Sequence, residues 1–110
     1  MIKLTKKQFD QKIEYLTKLE EAVKNLNSLY KEDDNDMLYA HLIKKGKKQT
    51  THYQFVRSFG YVVDINQRWI VNVYTYDNKT GEDLKVKQRF YANTVEQLWE
   101  KLVNEKVCSI

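Results

Sequence analysis

Apolar residues in the first third of the chain recur at Phe9, Ile13, Leu16, Leu19, Val23, Leu26 and Tyr30, in steps of 4, 3, 3, 4, 3 and 4. That spacing lines one face of an α-helix. Thr5 followed by Gln8 forms a capping box, in which each side chain satisfies the other residue's backbone N–H, and Leu4 with Phe9 forms a hydrophobic staple around it. No Gly or Pro interrupts the stripe. A helix from about Lys6 to Lys31 is therefore predicted, roughly 39 Å long at 1.5 Å per residue. The acidic stretch from Glu32 to Asp36 opposes the negative C-terminal end of a helix dipole, so it predicts a stop and a solvated loop. Its carboxylates do not have the spacing of an EF-hand calcium loop.

Beyond this stretch the period shortens. Met37 to Ile43 suits either a strand or a short helix, and Lys44, Lys45, Gly46, Lys47 and Lys48 follow as a compact basic turn. Tyr53 to Val56 leads into a strand-like run from Phe59 to Ile65 with a bend at Gly60, and Asn66 with Gln67 makes a tight turn. Arg68 to Tyr76, rich in Trp, Ile, Val and Tyr, is the clearest strand. Asp77 to Glu82, with Gly81, reads as a hairpin loop, and Leu84 to Tyr91 closes the meander. A last helix starts at a cap on Asn93 or Thr94, with Glu96 or Gln97 three residues on. Its apolar face is Val95, Leu98, Trp99, Leu102 and Val103, and fraying is expected after about Val107. The prediction is one α+β domain over residues 1–110, with a long N-terminal helix, an antiparallel meander of three to five strands and a C-terminal helix. Both helical stripes would pack on the sheet face that carries Val71, Val73, Val86 and Phe90.

The run from Leu84 to Tyr91 has two chemically different faces. On a strand Leu84, Val86, Gln88 and Phe90 point one way, and Lys85, Lys87, Arg89 and Tyr91 point the other. If Val71 and Val73 face the core, Asn72, Tyr74 and Tyr76 share the outer face with those cations. Cations among tyrosines suit a polyanion, because the cations neutralise phosphates while the rings stack on bases or pack on sugars. Lys44, Lys45, Lys47 and Lys48 would then act as a wing gripping a phosphate backbone. The alternative is a solvated sheet face and a solvated turn. A one-residue slip in register would turn the pattern over.

Composition narrows the setting. A chain of 110 residues with 42% hydrophobic and 13% aromatic residues is long enough, and aromatic enough, to build a core without staples. The single cysteine, Cys108, rules out an intramolecular disulfide and fits a reducing compartment. Lys3, Lys6 and Lys7 interrupt any apolar leader, and no apolar run approaches the length of a membrane span, so a cytoplasmic protein with no membrane partner is expected. The net charge is +4, and sixteen of the 19 basic residues are Lys. That balance favours sequence-independent attraction to polyanions over bidentate base reading. An AT-rich codon bias would produce the same Lys, Asn, Tyr and Ile excess.

Catalysis finds little footing. His41 and His52 are the only histidines and fall in different segments, the one Cys lies near the tail, and three glycines make no phosphate loop. Neither an HExxH pattern nor paired cysteines supply a metal site. No catalytic residue, metal or cofactor is expected, and the protein is read as no enzyme. The heptad positions Phe9, Leu16, Val23 and Tyr30 could also form the seam of a homodimer through the first helix, as against packing on the chain's own sheet.

Trp69, the Lys79-Thr80-Gly81-Glu82 turn, Lys87, Arg89 and Phe90, and the Thr94-Val95-Glu96-Gln97 helix start together resemble the arm-type DNA-binding domains of mobile-element integrases. The resemblance covers residues 68–102, about a third of the chain, and the long first helix departs from it. It implies a three-stranded sheet backed by one helix, with the sheet in a DNA groove and Lys85, Lys87 and Arg89 as contacts. The reading is a small non-enzymatic DNA-binding accessory protein of a phage or mobile element. Its rivals are an inhibitor or adaptor that binds a host protein, such as a phage anti-defence protein, and a purely dimeric structural module.

Overall fold

The computed structural model describes residues 3–26, 36–59, 68–81 and 88–109. In chain order its elements are β1 (Leu4–Thr5), α1 (Lys6–Leu26), β2 (Asp36–Lys45), β3 (Gln49–Phe59), β4 (Trp69–Asp77), β5 (Gln88–Ala92), α2 (Val95–Asn104) and β6 (Cys108–Ser109). The architecture is α+β. Strands β2-β3-β4-β5 form an antiparallel sheet in chain order, and β1 pairs in parallel with β6. The predicted continuation of the first helix to Lys31, the acidic residues 32–35, the strand and bend over residues 60–65, the turn at 66–67 and the strand residues 84–87 lie outside the described residues.

The first helix begins as its sequence requires. Gln8 N donates to Thr5 Oγ1 at 3.2 Å and Thr5 N donates to Gln8 Oε1 at 3.1 Å, which is the reciprocal capping box. Leu4 and Phe9, the staple pair, are both fully buried. Leu16 is buried too, while Ile13, Leu19 and Val23 are half-buried along the same stripe. Phe9 is the hub of the core, its ring 6.1 Å from Phe55 and 5.0 Å from Trp99.

Met37 to Ile43 is a strand. It lies in the ten-residue β2, held to β3 across a hairpin in which Gly46 N donates to Gln49 O at 2.8 Å. Cross-strand pairing decided what local propensity left open. The register Ala40↔Phe55, Phe55↔Val71 and Val71↔Phe90 carries one row of core residues straight across the sheet. Tyr53, Phe55, Val71, Val73 and Ala92 are buried on this face, against Leu98 and Leu102 of α2 and the stripe of α1. Strand β3 runs unbroken from Gln49 to Phe59, longer than the Tyr53 to Val56 run that the sequence suggests.

The expected fraying after Val107 does not occur. Lys106 adopts the left-handed conformation (φ 59), Lys106 N donates to Val103 O and Val107 N donates to Leu102 O. That is a Schellman turn, which folds the chain back over the helix end. Val107 is buried, its carbonyl accepts from Leu4 N at 3.1 Å, and β6 runs beside β1. The tail is thereby tied to the staple residue at the start of α1.

Candidate nucleic-acid interface

Residues alternate faces along a strand, so the register defines the sheet surface opposite the helices row by row. Lys45 lies beside Thr50 and Tyr76, and Ile43 lies beside His52 and Tyr74. His41, Gln54, Asn72 and Arg89 form the next row, followed by Tyr39, Val56, Ile70 and Tyr91. Of the strand residues expected on this face, Asn72, Tyr74, Tyr76, Arg89 and Tyr91 are described, and all five lie on it. Lys85 and Lys87 lie outside the described residues. Val56 and Ile70 are buried, whereas Ile43 is 64% exposed and Tyr39 46%.

Four rings cross three strands of this surface in a continuous row. His41 and His52 have centroids 5.1 Å apart, His52 and Tyr74 5.6 Å, and Tyr74 and Tyr76 6.3 Å, the last pair within 10° of parallel. Each separation lies in the range of favourable aromatic pairs. His41 Nδ1 is 2.9 Å from His52 Nε2, so one nitrogen donates and the other accepts. Burial, and then the charge of His41, hold the His52 pKa below its ordinary value. The two histidines, which fall in different segments of the sequence, are thus brought together. The signal is the hairpin register, which pairs His41 with Gln54 and Ile43 with His52 and so sets the two rings diagonally on one face, and it is hidden while Met37 to Ile43 suits a helix as well as a strand.

The centre of the surface is polar. Asn72 Nδ2 donates to Gln54 Oε1 at 3.0 Å, and the buried Asn72 Oδ1 has no hydrogen-bond partner among the described residues. Arg89 is the exposed register neighbour of Asn72 on β5. At the outer edge Lys101 Nζ donates to Tyr91 O at 2.6 Å and lies 5.5 Å from the Tyr91 ring. These residues, with Arg89, Phe90, Asn104 and Glu105, line a shallow cleft of about 360 Å³.

The basic turn is fastened at one end of the ring row. Asn78, from the turn after β4, donates through Nδ2 to Gly46 O at 2.8 Å and through its backbone N to Lys48 O at 2.9 Å. Its Oδ1 accepts from Thr50 Oγ1 at 2.6 Å. Asn78 is itself held by a tight turn in which Asp77 Oδ1 accepts from Lys79 N and Thr80 N, with Gly81 (φ 73) completing the reversal. Those two N–H groups hold the Asp77 carboxyl below its ordinary pKa. Lys45, Lys47, Lys48 and Lys79 are all exposed at this end. Lys44 is not with them. It points to the helix side, where Nζ donates to Lys3 O at 2.8 Å and Gln8 Oε1 at 3.1 Å.

Among the described residues, no three His, Cys, Asp or Glu are gathered to hold a metal ion, and no helix is long and apolar enough to cross a membrane. No family model matches the chain, and neither does any curated protein or solved structure.

Proposed function

We propose that the protein is a non-enzymatic DNA-binding accessory protein, working in the cytoplasm, that contacts phosphates through the basic and aromatic sheet face. The observation that carries this reading is the row His41, His52, Tyr74 and Tyr76 running into a lysine turn latched by Asn78. Rings supply stacking surface that tolerates any base, and ammonium groups supply sequence-independent attraction to the backbone. The predominance of Lys over Arg suits phosphate contact rather than bidentate base reading. The test is the affinity for labelled DNA over a salt series. Lys45, Lys47 and Lys48 changed together to Ala should weaken binding and flatten the salt slope by about 2–3 units, at roughly 0.7–0.9 per lost phosphate contact. No affinity for DNA of any form at low salt would overturn the reading.

A protein partner is the second reading, favoured by one specific feature. Met37, Tyr39 and Ile43 stand exposed along β2, the last strand on one side of the sheet among the described residues. A row of apolar side chains on an edge strand is a template for a partner of the protein-inhibitor or adaptor kind. Retention of a host protein that is lost in an Ile43→Lys variant, with DNA affinity absent, would support it.

A further inference from the structure

The breadth of the sheet bears on which form of DNA this face can take. Among the described residues four strands lie side by side. Three spacings of about 4.8 Å place the outer strand axes roughly 14 Å apart. The major groove of duplex DNA is about 12 Å wide and admits a helix or a two-stranded ribbon. The ring row crosses β2, β3 and β4, one strand more than such a ribbon, and presents ring faces rather than hydrogen-bonding groups for base edges. Inside a duplex, moreover, base faces are already stacked on one another and offer nothing to an aromatic side chain, whereas a single strand can splay its bases onto rings.

We infer that the face takes single-stranded DNA, with bases laid along His41, His52, Tyr74 and Tyr76 and the backbone drawn toward Lys45, Lys47 and Lys48. This rests on the nucleic-acid reading above and narrows it. The register supports the polarity of the arrangement. Tyr76 neighbours Thr50, and Thr50 neighbours Lys45, so the row of rings runs into the positive end of the sheet. Asn78 ties the lysine turn to β3 and to the turn that follows Tyr76, which keeps cations and rings in one fixed relation. A site with both parts in place loses little conformational freedom on binding.

The test uses the full chain and a fluorescein-labelled, mixed-sequence oligonucleotide of about 16 nucleotides, the upper end of site sizes for sheet-type binders, with its own duplex as the second arm. At low salt the single strand should bind at least about tenfold tighter than the duplex, a gap that one lost stacking contact would account for. Tyr74→Leu and Tyr76→Leu should each weaken single-strand binding by about tenfold or more, while Tyr76→Phe, which keeps the ring, should stay near wild type. Circular dichroism checks that each variant is folded. The wild-type ratio between the two arms decides the matter even where a variant is not. Duplex bound as tightly as single strand, or Leu variants as good as wild type, would overturn the inference and leave the DNA reading standing. Absence of binding to both arms would overturn the two together.

Discussion

Arg57 grips Glu20 with two nitrogens, Nε 3.0 Å from Oε2 and Nη2 3.2 Å from Oε1, across 37 residues of sequence. The pair joins α1 to β3, and both side chains are about nine-tenths covered. The guanidinium also lies 4.5 Å from the centre of the Trp69 ring, and Nη1 donates to Arg68 O. A paired charge in such a place adds little over an apolar substitute, but a widowed one is costly. Glu20→Ala should therefore destabilise by about 3 kcal/mol, read as a lower urea midpoint at unchanged slope. The Glu20→Met, Arg57→Met double variant should recover most of that loss. A Glu20→Ala variant as stable as wild type would show that the pair is not formed in solution.

Leu16 sits in the middle of the α1 stripe and is fully buried. Its truncation to Ala should cost about 2–5 kcal/mol, the transfer term plus the cavity left behind. Chemical denaturation measures this directly, and a loss under about half a kcal/mol would mean that the stripe does not meet the sheet.

Lys106 holds a left-handed conformation that suits glycine. A β-carbon costs about 1 kcal/mol there. Lys106→Gly should accordingly raise the thermal midpoint, whereas Lys106→Val should lower it. The opposite order would mean that the Schellman turn does not close the second helix.

The partial burial of His52, and then the charge of His41 beside it, sets a pH dependence whose sign follows from linkage. The folded-state pKa of His52 lies below its unfolded value of 6.5. As pH falls, the unfolded chain takes up the proton first, so the stability that His52 contributes is present above about pH 6.5 and is lost on descent through its folded pKa. Asp77, also lowered, acts in the same direction but below the ordinary carboxylate range near 3.8, so the two windows separate. Stability should thus fall on moving below neutral pH, and His52→Gln should flatten that part of the profile while leaving the acid limb. Denaturation midpoints against pH, with imidazole proton shifts by NMR, check both.

What lies within one turn or one strand was legible from the chain alone. The capping box at Thr5 and Gln8, the cap at Thr94 that accepts from Gln97 N, and the opposed faces of β4 and β5 all follow from spacing, because backbone geometry ties residues three or four apart, or two apart, to one side. The burial of Trp69 and the half-burial of Trp99, covered by Lys6 at 4.7 Å, follow from the same periodicities. Tertiary structure decided the rest. Whether Met37 to Ile43 was strand or helix depended on β3 as a partner. Glu20, on a helix that reads as apolar inward and polar outward, is buried because Arg57 meets it from another element. The Asn78 latch, the tie between Val107 and Leu4, and the separation of Lys44 from Lys45 each rest on hydrogen bonds between groups 28 to 103 positions apart, reaching across to another element. His41 and His52 meet for the same reason. Eleven positions separate them along the chain, yet the hairpin register leaves their nitrogens 2.9 Å apart. Periodicity tells which way a side chain points, but only strand pairing selects the side chain it will find there.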